Sequence, residues 1–173
     1  MKNKTKNNKK NNSIIITDLN QLLSMTANQA KNIKSFYFKN QIIDNTFFNH
    51  LLKLSLVNLD SFYFIECVFN EPNILSAIIY SKNVGFVNCE LSFEEISTML
   101  EWIKDWKEMD TLDLSGNNLG RKQIEFFKWL NMNIWCHVYI KNFIISDNNF
   151  SADFKVRMLE HNEWFKSFDN ISL

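Results

Sequence analysis

Residues 109–119 read MDTLDLSGNNL, with large apolar side chains at Met109, Leu112, Leu114 and Leu119 and a carboxamide at Asn117. No other stretch constrains the fold as tightly. Leu112 and Leu114, two residues apart, have the period of a short strand with one buried face, so Asp113 between them points outward. Asn117 falls where the strand bends. A buried carboxamide there offers two N–H donors and an acceptor to turn backbone that would otherwise go unpaired.

The spacing recurs along the chain. Ile140, Phe143, Ile145, Asn148 and Phe150 repeat it in full, and Leu59, Phe62, Phe64, Cys67 and Phe69 repeat it with a cysteine at the corner. Val84, Phe86, Cys89 and Leu91 match from the second position onward, with Ser81 where the first apolar residue belongs. Ile33, Phe36, Phe38, Gln41 and Ile43 match with a glutamine, and Ile14–Ile16 begin an irregular N-terminal unit. The equivalent positions Phe36, Phe62, Val84, Leu112 and Phe143 are separated by 26, 22, 28 and 31 residues. Such a unit buries about four to six large side chains at roughly 1.5–3 kcal/mol each, too little to offset its own chain entropy. Stacked units share one continuous core, which makes the pattern that of a solenoid.

Between these segments the apolar period becomes helical. Ser92-Phe93-Glu94-Glu95 is a capping box that opens a helix to about Trp106, with Ile96, Met99, Leu100 and Ile103 on one face. Pro72 suits the first turn of a helix over 72–81. Further helices are predicted at 18–31, 45–54, 121–131 and 152–165, the last capped by Ser151.

The set resembles the leucine-rich-repeat superfamily over residues 33–165, and its long periods with helical connections are most similar to the ribonuclease-inhibitor-like type. Phe and Ile replace Leu at many ladder positions, in keeping with 16 phenylalanines. The resemblance implies an α/β fold: a leucine-rich-repeat solenoid, a horseshoe arc of about five repeats with parallel strands on the concave face and helices on the convex face. A single domain is expected over 13–173, with an N-terminal cap at 13–32, repeats at 33–150 and a C-terminal cap at 151–173. Cysteine at the corner is a substitution that the repeat consensus allows, so Cys67 and Cys89 are read with Asn117 and Asn148 as structural residues of the ladder.

Residues 1–12, MKNKTKNNKKNN, hold five lysines and no acid and are expected to be a disordered tail. The 19 basic and 19 acidic residues balance, which removes the footprint of a dedicated nucleic-acid binder. Ile14–Ile16 is too short for a membrane span or a signal-peptide core, so neither membrane insertion nor classical secretion is expected. The three cysteines, Cys67, Cys89 and Cys136, form no CxxC, consistent with reduced thiols in a cytoplasm. His50, His137 and His161 are isolated, neighbouring Cys136 and His137 would point apart on an extended segment, and no phosphate or dinucleotide motif is present. No catalytic residue, metal ligand or cofactor is therefore assigned.

In proteins with this repeat the concave face is the usual docking surface. On that mapping Tyr37, Tyr63, Gly85, Asp113 and Ile144 form one outward column, and Lys39, Ile65, Val87, Ser115 and Ser146 the next. Tyr37, Lys39, Tyr63, Ile65, Val87, Asp113 and Ile144 are the candidate partner-binding residues, because tyrosine beside aliphatics is the composition of a protein-binding hot spot. The competing explanation is that tyrosine is simply a good strand residue. The five tryptophans, Trp102, Trp106, Trp129, Trp135 and Trp164, fit packing between helices better than a second interface.

The chain also resembles small Asn/Lys-rich leucine-rich-repeat effectors of intracellular bacteria. That implies a non-enzymatic binder of a host protein or companion effector, monomeric when free, cytoplasmic or delivered into a host cell by a specialised secretion system, and able to block a partner's active site. The alternative is a substrate-recognition adaptor of a ubiquitin ligase or a regulator of a small GTPase. No room for a ligase domain is expected after residue 165, and Arg121 and Arg157 are the only arginines an activator could use. A third class, nucleic-acid or membrane binding through the lysine tail, is the least favoured.

Overall fold

In a computed structural model of the protein, the described residues are 12–56, 59–70, 81–101, 108–133, 138–160 and 168–173. They form an α/β structure around an open, all-parallel sheet of seven strands: β1 (Ser13–Ile16), β2 (Ser35–Lys39), β4 (Leu59–Ile65), β6 (Ser81–Val87), β7 (Glu108–Asp113), β8 (Tyr139–Ile144) and β9 (Phe168–Ser172). These strands stand side by side in chain order. Two short strands, β3 (Ile42–Ile43) and β5 (Val68–Phe69), pair as a separate parallel ribbon just past the ends of β2 and β4.

Register is set by the apolar ladder. Ile14, Phe36, Phe62, Val84, Leu112, Phe143 and Ile171 lie opposite one another across the seven strands. A one-residue slip in any strand would turn this column outward and expose it, which is why pairing is unambiguous. Ile16, Phe38, Phe64 and Phe86 make the parallel inner column. There phenylalanine does what leucine does in a smaller core: Phe38 stacks on Phe64 at 5.2 Å, and Phe64 on Phe86 at 5.6 Å. All of these residues belong to one continuous apolar cluster.

The helices that intervene are α1 (Leu19–Leu23), α2 (Ala27–Ala30), α3 (Asn45–Lys53), α4 (Phe93–Met99), α5 (Gln123–Asn133, preceded by a 3-10 turn Leu119–Lys122) and α6 (Ala152–Glu160). Ser92 and Glu95 form a reciprocal capping box on α4, and the Ser151 hydroxyl accepts from the Phe154 amide at the start of α6. Trp129 on α5 meets Phe93 of α4 edge-on, at 6.3 Å. Trp102, Trp106, Trp135 and Trp164, the tail at 1–11 and the Cys136-His137 pair lie outside the described residues.

The structure departs from the sequence-based expectation in several places. The sheet has two strands beyond the five matched segments: β1, which holds Ile14–Ile16 of the irregular N-terminal unit, and β9, in the segment 151–173. Leu19 stands where the corner amide or thiol of β1 would be, so the pattern marks that strand only in part. The helix expected over 18–31 is two helices, since Thr26 and Gln29 close their own capping box and restart the helix. The helix expected over 72–81 falls on undescribed residues up to 80, and Ser81 already belongs to β6. Ser81 is buried in its ladder position, and its hydroxyl donates to the Asn83 carbonyl at 3.0 Å.

Candidate interaction face of the sheet

The outward face is positioned by the corners at the strand ends. Just before each corner residue the backbone turns left-handed: Asn40 (φ 55°), Glu66 (55°), Asn88 (52°), Gly116 (69°) and Asp147 (58°). Asparagine, aspartate and glycine tolerate this conformation best, and Glu66 is the exception among the five. The next side chain then turns inward. Asn117 donates to the carbonyls of Phe86 (2.6 Å), Leu114 (2.8 Å) and Ser115 (3.3 Å) and accepts from the amides of Cys89 (3.2 Å) and Leu91 (3.1 Å). Asn148 donates to Leu114 and Ile145 at 2.8 and 2.9 Å and accepts from Leu119 at 3.3 Å. Each amide thus ties its own strand to the preceding one.

The cysteines make the same bridge with one donor. The Cys67 thiol lies 3.3 Å from the Phe38 carbonyl and 3.5 Å from that of Ile65, and the Cys89 thiol 3.6 Å from Phe64 and 3.4 Å from Val87. Burial pushes the Cys89 thiol up to about 12 and raises that of Cys67, so both stay protonated and poor nucleophiles at neutral pH. Gln41 is also buried, with its amide donating to the Lys39 and Asn40 carbonyls. Among the described residues no group of three or more His, Cys, Asp or Glu could hold a metal.

On the outward face the central column in register is Ile15, Tyr37, Tyr63, Gly85, Asp113, Ile144 and Ser172. The Tyr37 and Tyr63 rings stack at 5.5 Å and 26°. Tyr63 then lies down over Gly85, where an added Cβ would sit 2.2 Å from the ring. Glycine is required at this place because the tyrosine ring occupies the space of a side chain. Burial raises the Tyr63 phenol to about 12, with smaller contributions from the Asp113 charge and from Tyr37. One oxygen of Asp113 accepts from the Ser115 amide (3.0 Å) and hydroxyl (2.7 Å), which pins the carboxylate beside the tyrosine.

The neighbouring column carries Lys39, Ile65 and Val87 in register. Lys39 forms an ion pair with Glu66 at 3.5 Å across the strand gap. Of the seven candidate residues, Tyr37, Tyr63, Ile65 and Val87 are half-buried and adjacent, Lys39 borders them, and Asp113 follows beyond Gly85. Ile144 stands one strand further, separated from the tyrosines by Asp113. Sequence reasoning missed Ile15, which is 61% exposed and in register with Tyr37 at the edge of the patch. The signal was its place between Ile14 and Ile16, which share the ladder spacing.

No protein-family model matches the chain, and no curated protein or solved structure is measurably similar to it. No helix among the described residues is long and apolar enough to cross a membrane.

Proposed function

We propose that this chain is a non-enzymatic protein-binding module built as a leucine-rich-repeat solenoid of the ribonuclease-inhibitor-like type, and that it captures its partner on the outward face of the sheet. Support for the repeat assignment comes from strands that follow chain order, a shared register, and buried amides or thiols at successive corners. The observation that carries the binding reading is the patch of Ile15, Tyr37, Tyr63, Ile65 and Val87 on a sheet face. Its tyrosines are held by stacking and by the glycine floor, so little side-chain entropy is lost when a partner docks. Asp113 adds an anchored negative charge at one end, which favours a partner with a basic group next to an apolar one.

A steric blocker or adaptor acting on a host protein or companion effector fits such a surface, since binding would need no chemistry from this chain. The test is the double substitution Tyr63→Lys with Ile65→Asp. Both side chains are only half-buried, so the far-ultraviolet circular dichroism spectrum should keep its wild-type shape, with a melting midpoint lowered by the lost packing of Tyr63 on Tyr37 and Gly85. Partner capture should fall by a factor of about 100, as expected when two hot-spot contacts are lost. Calorimetric titration of the purified partner with both proteins measures it, and undiminished affinity would remove the face from consideration.

A further inference from the structure

One residue before the polar column Ser35, Ser61, Asn83, Thr111, Asn142 and Asn170, six of the seven strands carry a charged side chain at the rim of the sheet, and β1 carries the neutral Asn12 at the outer end. In spatial order these are Lys34, Asp60, Lys82, Asp110, Lys141 and Asp169, so the sign alternates at every step. Backbone pairing fixes the alignment: the Asp60 amide donates to the Lys34 carbonyl at 2.8 Å, and Asn83 and Asn142 reach back to the Asp60 and Asp110 carbonyls at 2.7 and 3.0 Å. All six are exposed. Among the described residues they form no ion pair with one another, and Asp169 alone has a side-chain partner, the Tyr139 hydroxyl, which donates to it.

We propose that this rim is a homodimer interface in which two copies meet about a two-fold axis passing between Lys82 and Asp110. An alternating series with an even number of members is self-complementary on reversal. The two-fold places Lys34 against Asp169 of the partner subunit, Asp60 against Lys141 of the partner subunit, and Lys82 against Asp110 of the partner subunit. Every contact is between opposite charges, and each occurs twice. An odd number of rungs would have set like against like. The flanking column is uncharged, and among the described residues the next charge along these strands is Glu108, two residues before Asp110. The chain's balance of 19 acidic and 19 basic residues leaves no net repulsion to oppose association.

Neighbouring strands are about 4.8 Å apart, so the column runs about 24 Å, which places the contact at the small end of specific interfaces. The pair is therefore weak and salt-labile, and it leaves the tyrosine face open for a different partner.

Sedimentation velocity of the full chain tests the idea. Wild type should dimerise at about 50 mM salt and dissociate at about 0.5 M, where screening acts within a few ångströms. Lys82→Asp and Asp110→Lys should each weaken self-association by about ten-fold or more, because each variant dimer carries two like-charge contacts. Mixing the two variants should restore the dimer, since every contact in the heterodimer is again between opposite signs. Lys141→Asp with Asp60→Lys gives the same test at a second rung, should either central variant fold poorly. A wild type that stays monomeric at low salt, a dimer indifferent to these changes, or a mixture that fails to reassociate would overturn the proposal.

Discussion

The Asn117 carboxamide closes five backbone groups, the carbonyls of Phe86, Leu114 and Ser115 and the amides of Cys89 and Leu91. Its value lies in carrying donors and an acceptor together. Asn117→Asp keeps the shape but brings a charge with no donor against three carbonyls. It should cost about 3 kcal/mol or more in urea denaturation, at least as much as Asn117→Ala, because unpaired buried groups lose their full solvation. Asn117→Cys should cost less, since Cys67 and Cys89 already bridge strands with a thiol. An aspartate variant within about 0.5 kcal/mol of wild type would remove the corner amide as a determinant of the fold.

Tyr63 supplies a pH signature at the same scale. Its phenol is raised to about 12 by burial, so between about pH 10 and 12 the native state holds a proton that the unfolded chain has released. The contribution is complete below about 10 and disappears as pH climbs through about 12. Cys89 and Tyr139, also raised, add to the fall in that region. Denaturation of wild type beside Tyr63→Phe across this window isolates the tyrosine: the variant should lose less stability on going alkaline, and parallel curves would refute the assignment.

At the scale of elements, what could be read from the chain depended on how far a local pattern decides a global contact. β2, β4, β6, β7 and β8 were legible because two alternating apolar residues and a corner side chain sit within a few residues of each other. β1 carries the apolar pair Ile14 and Ile16 without the corner and so shows as an irregular unit, and β9 has no alternating apolar pair within Phe168–Ser172. The break between α1 and α2 hid because Leu19, Leu22 and Ala30 keep a helical spacing straight through it. The capping pair at Thr26 and Gln29 overrides that spacing by satisfying the first-turn amides of a new helix. The tyrosine column followed from strand parity alone. Ile15 and the last member of the charged rim did not, since Ile15 lies in the irregular N-terminal unit and Asp169 in β9, outside the matched segments.

For the molecule as a whole, strand order equal to chain order means that each of the seven strands of the main sheet pairs only with the strand before it and the strand after it in that sheet. On the proposed solenoid, stability is approximately a sum of nearest-neighbour terms, and the end strands have one neighbour where the middle ones have two. Native-state hydrogen exchange should be fastest for amides in β1 and β9 and slowest in β4 and β6, where the phenylalanine stack is deepest. Uniform protection across all seven strands would mean that the sheet opens as one cooperative body.

The same order has a mechanical consequence. The chain enters the sheet at one outer edge and leaves it at the other, six strand spacings away or about 29 Å. Tension applied between those two points would not load all the ladders at once. It would lift an outermost strand first and then work inward, rung by rung, so that the protein yields as an unzipping chain and not as a block.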